Sequence, residues 1–178
     1  MLRPRRPSPD PRPGAHRRPS LTARSIALVA ATVAAVTACA PAVSVKVAPN
    51  AADPVCASVV LALPVKLAQY PRLDTTSQAT AAWGDPAAPI VLRCGVDPLP
   101  PTTKKCVTAT DSAGRAVDWV AVETGAAAVG GRWTFTTYGR EPAVEVTVPP
   151  EVTRAGSTSF LVDLAPAISR TAKLRSCL

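Results

Sequence analysis

Four carboxylates, Asp85, Asp118, Glu123 and Glu145, lie in or beside segments rich in β-forming residues. Two acids held about 5 to 10 Å apart can cleave a glycosidic bond, one protonating the leaving oxygen while the other acts as nucleophile or base. Chain spacing does not pair any two of them, and an acid on the wet face of a strand is the plainer reading. Serine and cysteine hydrolases need a general base. The single histidine, His16, lies close to the N-terminus, and no Ser-x-x-Lys is present. No Gly-rich phosphate loop follows a strand and no Asp-rich calcium loop occurs, so no cofactor is expected and no catalytic residue is assigned.

The most distinctive local string is Ala82-Trp83-Gly84-Asp85-Pro86. An aromatic beside a Gly-Asp-Pro turn can form a binding lip, with Trp83 as a stacking surface and Asp85 as an acceptor. The structural alternative has Trp83 covering the edge of the core and Asp85 capping a turn that Pro86 rigidifies. Asp118 and the string Tyr138-Gly139-Arg140 pose the same choice: Arg140 after a glycine turn can meet an anionic ligand, or Glu141 or Asp118. Trp83, Asp85, Asp118, Tyr138 and Arg140 are therefore the binding candidates. Trp119 and Trp133 alternate with polar residues as core positions of strands do.

Residues 26–38 (IALVAATVAAVTA) form a 13-residue apolar run, the length of a signal-peptide core and too short to cross about 30 Å of hydrocarbon as a helix. The Arg- and Pro-rich residues 1–24 before it carry one acid, Asp10, and bury too little apolar surface to fold. The run ends in Val36-Thr37-Ala38-Cys39, which resembles the bacterial lipobox: an aliphatic residue, two small residues and the cysteine that becomes the acylated N-terminus. Several acyl chains at about 0.8 kcal/mol per buried methylene make a durable anchor. The alternative is an ordinary secretory signal cleaved near Ala38, with Cys39 incidental.

Seven of the 20 basic residues precede position 25, so cleavage before Cys39 leaves 13 basic against 11 acidic residues, a net charge of +2. A nucleic-acid footprint leaves with the leader. The same cleavage leaves no histidine, which with the absence of any Cys-x-x-Cys argues against a zinc site, and no metal is expected.

Cys56, Cys94, Cys106 and Cys177 remain, an even number in a chain expected to face an oxidising compartment, and two disulfides follow. Of three possible connectivities the expected one pairs Cys94 with Cys106 across the Pro-rich turn DPLPPTTKK, and Cys56 with Cys177.

These residues need elements to hold them. Residues 44–47 alternate like a first strand, and Asp53-Pro54 reads as an N-cap with proline at the first helical position of a short helix ended by Pro64, with a further turn over 65–69. Residues 70–89 lack a steady period and read as a long surface loop. Residues 90–96, 106–109, 116–122, 132–138 and 143–148 read as strands joined by turns, which favours antiparallel pairing. Residues 158–164 and 166–174 read as helices, the second opened by Pro166. The expected fold is α+β, an antiparallel sheet with short helices on one face and two disulfides. The expected organisation is a signal peptide at 1–38, an acylated cysteine and tether at 39–43 and one domain at 44–178.

The order of lipobox, Cys56 with Leu63-Pro64, Ala82-Trp83-Gly84-Asp85-Pro86, Leu92-Arg93-Cys94-Gly95-Val96, Cys106, Val117-Asp118-Trp119, Thr137-Tyr138-Gly139-Arg140 and Pro142-Ala143-Val144-Glu145-Val146 resembles the actinobacterial lipoprotein family built on the domain of unknown function numbered thirty-five fifteen. The likeness covers about residues 43–177 and implies a secreted or lipid-anchored envelope protein, with no catalytic residue to carry over. The functional expectation is a binding or structural module on the outer face of the cytoplasmic membrane. It would contact wall polymer or another envelope protein through the Trp83 loop. The alternative is an envelope glycan- or lipid-modifying enzyme with a carboxylate pair.

A bacterial start at Leu21 would leave the compact leader LTARSIALVA, and Met1 is then a miscalled start. Mass spectrometry of unprocessed precursor should find no peptide from residues 3–18; a single such peptide refutes the Leu21 start.

Overall fold

The computed structural model describes residues 41–125, 131–153 and 158–177, and Pro41–Leu178 forms one compact unit. The expected signal peptide and Cys39 lie outside the described residues. Among the described residues the strands are β1 Lys66–Leu67, β2 Tyr70–Leu73, β3 Thr80–Asp85, β4 Ala88–Val96, β5 Cys106–Thr110, β6 Ala116–Thr124, β7 Arg132–Thr137, β8 Arg140–Glu141, β9 Ala143–Val148 and β10 Ala172–Lys173. Helices are α1 Pro54–Leu61, α2 Pro150–Thr153 and α3 Phe160–Ile168.

Eight strands form one antiparallel sheet in the order β1-β2-β3-β4-β9-β7-β6-β5, and β8 pairs with β10 in a separate ribbon. Two meanders, β1 to β4 and β5 to β7, are joined by β9, which is hydrogen-bonded to β4 on one side and β7 on the other. The register places Leu92 opposite Val146 and Val146 opposite Phe135. Alternation in these strands turns Ile90, Leu92, Val144, Val146, Val148 and Phe135 onto one face with Trp83, Trp119 and the apolar sides of α1 and α3. Arg93, Glu145, Thr134 and Thr136 occupy the other face, where Arg93 and Glu145 form a cross-strand ion pair at 2.7 Å.

The α+β expectation holds, with helices on the core face. Asp53 caps α1 by accepting the Val55 amide at 2.8 Å, and Pro54 opens the helix. Four elements differ from expectation. The segment 44–47 forms no ladder; Val43 bridges Thr75 in parallel, and Val45 is held by the side chains of Thr76 and Ser77 instead of by a neighbouring strand. Residues 65–69 give β1 and a turn with Ala68 at φ 51°, not a helical turn. The expected loop 70–89 contains β2 and β3. Its period is missing because Thr80, Ala81, Ala82 and Trp83 are all buried, and a strand covered on both faces does not alternate. The two expected C-terminal helices are one, α3, with Pro166 inside it. Pro166 forfeits only the bond that would have reached the Val162 carbonyl, and Ser169 still donates to Ala165 at 2.9 Å. Burial of Phe160, Leu161, Leu164, Ala165, Ala167 and Ile168 outweighs that loss.

All four expected cysteines are disulfide-bonded, but in a different pairing: Cys56–Cys94 and Cys106–Cys177. Three strands separate β4 from β5, which at about 4.8 Å per step puts Cys94 roughly 19 Å from Cys106, far beyond disulfide reach. Cys94 also points into the core while Cys106, opposite Val120, lies on the other face. The turn 97–105 is therefore a crossing between the two meanders and not a hairpin.

Trypsin cuts after Lys104 and Lys105 and separates Cys94 from Cys106, so non-reducing peptide maps should show only Cys56–Cys94 and Cys106–Cys177 linkages. Replacing Cys56 and Cys94 together by Ala should lower urea-unfolding stability by about 4 kcal/mol, from a closed loop of 38 residues.

Candidate functional site

The five binding candidates fall into two places. Trp83 lies in β3 with its ring fully buried, its indole Nε1 donates to the Pro64 carbonyl at 3.1 Å, and the Arg72 guanidinium sits 5.9 Å from the ring centroid. It has no free face for a ligand. Asp85 stands exposed at the end of β3 and accepts the Ala87 amide at 2.8 Å, closing the turn to β4. This geometry fits the structural alternative for Trp83-Gly84-Asp85-Pro86 and removes Trp83 as a stacking surface.

Asp118, Tyr138 and Arg140 do come together, at the ends of β6 and β7, where the C-terminal tail folds back over the sheet. The Tyr138 amide donates to the Asp118 carbonyl at 2.8 Å. Asp118 is buried; one carboxylate oxygen accepts the Thr108 hydroxyl at 2.7 Å and the other the Cys177 amide at 3.1 Å. Arg140, also buried, donates to the Thr171 and Ala116 carbonyls, each at 3.0 Å, tying the tail to β6. Burial lowers the Arg140 pKa from its ordinary value and the Asp118 charge offsets part of that shift. Gly139, at φ 64°, receives Leu174 at its carbonyl at 2.7 Å, and a Cβ there would strike Arg175. The tail is thus fixed by Arg140, by Gly139, by the β8–β10 ribbon and by the Cys106–Cys177 bond.

Fixing the tail leaves a groove of about 480 Å³ between it and the segment 101–104. Tyr138, half-buried, forms an aromatic wall; Thr102, Thr103, Lys104 and Ser176 supply hydroxyls and one ammonium. Sequence reading missed these last four because nothing local marks them. The Pro-Pro and Lys-Lys doublets around them were the available signal, read there as a turn.

Cys106, Asp118 and Cys177 bring three ligand-type atoms within 4.8 Å of one another, but both sulfurs are bonded to each other and are not available to a metal. The four acids considered for catalysis each have a separate engagement: Asp85 with Ala87, Asp118 with Thr108 and Cys177, Glu123 with the Gly131 amide at 3.0 Å, and Glu145 with Arg93.

A family model described as "Protein of unknown function (DUF3515)" matches residues 20–177. No curated protein and no solved structure shows significant similarity.

Arg140 bridges two carbonyls beside a buried carboxylate, so Arg140→Met should cost about 2–4 kcal/mol in chemical denaturation. Arg140→Lys should recover only part of it, since a compact ammonium lacks the guanidinium fork. Equal stability of wild type and Arg140→Met would refute this role.

Proposed function

This chain belongs to the DUF3515 family, and we propose that it is a lipid-anchored binding module of the cell envelope that holds a wall glycan in the groove beside Tyr138. The anchor is Cys39, which receives a diacylglycerol and becomes the new N-terminus, and the domain stands on the outer face of the cytoplasmic membrane. Two observations support the location: the 13-residue apolar run ending in Val36-Thr37-Ala38-Cys39, and the engagement of all four remaining cysteines in disulfides, which persist in oxidising compartments. With Trp83 in the core, the binding role passes from the Trp83 loop to the groove.

The observation that carries the ligand class is the composition of that groove. A tyrosine ring offers a face to the C–H side of a pyranose, three hydroxyls exchange hydrogen bonds with sugar hydroxyls, and Lys104 attracts an anionic substituent. The tail that walls the groove is covalently tied to β5 at Cys106, so little ordering cost falls on binding.

Intact-mass analysis of membranes from a lipoprotein-competent host should show a mature species beginning at Cys39 with added acyl mass, lost in Cys39→Ala. A soluble product cleaved near Ala38 would remove the anchor. Calorimetric titration with soluble wall-glycan fragments should give saturable binding that Tyr138→Ala weakens by about tenfold, as one aromatic contact is worth about 1.4 kcal/mol. Unchanged affinity in Tyr138→Ala would refute the groove as the site.

A further inference from the structure

The two most exposed large apolar side chains among the described residues, Leu61 at 87% and Val65 at 79%, stand close together in the chain. Helix α1 buries Cys56 and Val59; Leu61, two residues past Val59, is turned about 200° from it and points away from the core. The turn that follows is pinned from below. The Leu63, Pro64 and Val65 carbonyls accept, in that order, from the Arg72 guanidinium at 3.5 Å, the Trp83 indole at 3.1 Å and the Arg72 amide at 3.0 Å, and Leu63 and Leu67 are buried on either side of Val65. A single exposed leucine is ordinary, but a rigid corner displaying two aliphatic side chains marks an interaction surface.

The N-terminal end of the domain meets the sheet at the same edge. Strand β2 pairs with β3 on one side; on the other, the Arg72 amide donates to the Val65 carbonyl and, two residues on, the Asp74 carbonyl accepts the Val43 amide at 2.8 Å. Residues two apart in an extended strand turn their backbone groups to the same edge, so Val43 continues the line that β1 begins, about 7 Å along from Val65. Cys39 precedes Val43 by four residues, at most about 14 Å of chain. Lys66 adjoins Val65, stands exposed and makes no ion pair among the described residues. Asp74 and Asp163 are exposed nearby, Asp163 accepting the Ala68 amide at 3.0 Å, so what this edge offers a partner is apolar surface and not a net positive charge.

We infer that this edge lies on the phospholipid bilayer, with Leu61 and Val65 seated among the upper acyl chains and the Lys66 ammonium extended to the phosphate level, an inference that rests on the acylation of Cys39. The tether holds the corner within reach of the surface, so the modest apolar area of two side chains suffices to seat it. The long methylene stem of Lys66 lets its charge stay in the headgroup layer while its base sits beside Val65. The anchor then fixes where the domain is and the corner fixes which way it faces. The Tyr138 groove, beside β5 at the opposite edge of the sheet, is left open to the wall.

The test is lysine acetylation by a water-soluble active ester, read by mass spectrometry, on acylated protein added to preformed phosphatidylcholine vesicles and on soluble Cys39→Ala protein in buffer. Lys66 should react at least about threefold more slowly on the vesicles than in solution, because its stem is drawn into the headgroup layer. Lys104, exposed on the groove, should react at the same rate in both. The acylated double variant Leu61→Asp, Val65→Asp should stay on the vesicles and regain the solution rate at Lys66; both side chains are exposed, so the fold tolerates the change. Equal Lys66 rates on vesicles and in solution, slowing of Lys66 and Lys104 together, or protection that persists in the double variant would each overturn the inference while leaving the anchor in place. A chain without acyl mass on Cys39 removes the anchor and this inference with it, and intact mass distinguishes that failure from the other three.

Discussion

The insertion of β9 between β4 and β7 is the constraint on which the rest of the molecule depends. Two meanders that are each continuous in sequence become one sheet only because Glu145, Val146 and Thr147 pair on both sides while Val144, Val146 and Val148 face the same core. The connection from β4 to β5 must then cross the sheet from its middle to its far edge. Segment 97–105 makes that crossing, and its course between sheet and tail forms one wall of the Tyr138 groove. Pairing along β9 also brings Arg93 and Glu145 opposite each other, neutralising two charges on the face that the helices do not cover.

A sheet of eight strands covered by helices of only eight and nine residues needs other means of attachment, and the disulfides supply two. Cys56–Cys94 joins α1 to β4 with both cysteines fully buried, a covalent contact inside the core. Cys106–Cys177 ties the tail to the edge strand on the opposite face, where little apolar surface holds it and Arg140 and Asp118 do the remaining work through hydrogen bonds. One bond reinforces packing and the other replaces it. The tail bond, by holding Ser176 and Cys177 over Tyr138, creates a concave surface as a by-product of stabilisation.

The two buried indoles show how differently one side chain can be accommodated. Trp83 finds the Pro64 carbonyl for its Nε1, and the proline that ends the approach from α1 thereby also receives the β3 tryptophan. The Nε1 of Trp119 is buried with no hydrogen-bond partner among the described residues, a cost of about 1–3 kcal/mol that the apolar contact of its fully buried ring must exceed. Trp119 lies in the middle of β6, opposite Val107 and Thr137, where neighbouring backbone groups are already committed to the ladder.

Features written in neighbouring residues were legible in the chain: the Asp53-Pro54 start of α1, the stop near Pro64, the strands around Ile90, Phe135 and Val146, where alternation marks one buried face, and the strand around Trp119, where β-forming residues lie between turns. So was the involvement of all four cysteines in disulfides, which follows from their even number in a chain expected outside the cytoplasm. The pairing was not legible, because strand order decides it and the insertion of β9 leaves no local mark. The strand character of 80–85 was hidden for the opposite reason, since covering both faces erases the periodicity that reveals a strand. Asp118, Tyr138 and Arg140 could be singled out by residue type, but Trp83, chosen on the same grounds, is a core residue. Only the tertiary structure separates them, because accessibility depends on what packs above a side chain and not on its neighbours in sequence. Lys104, Thr102 and Ser176 became part of the same groove only once the tail was brought back across the sheet.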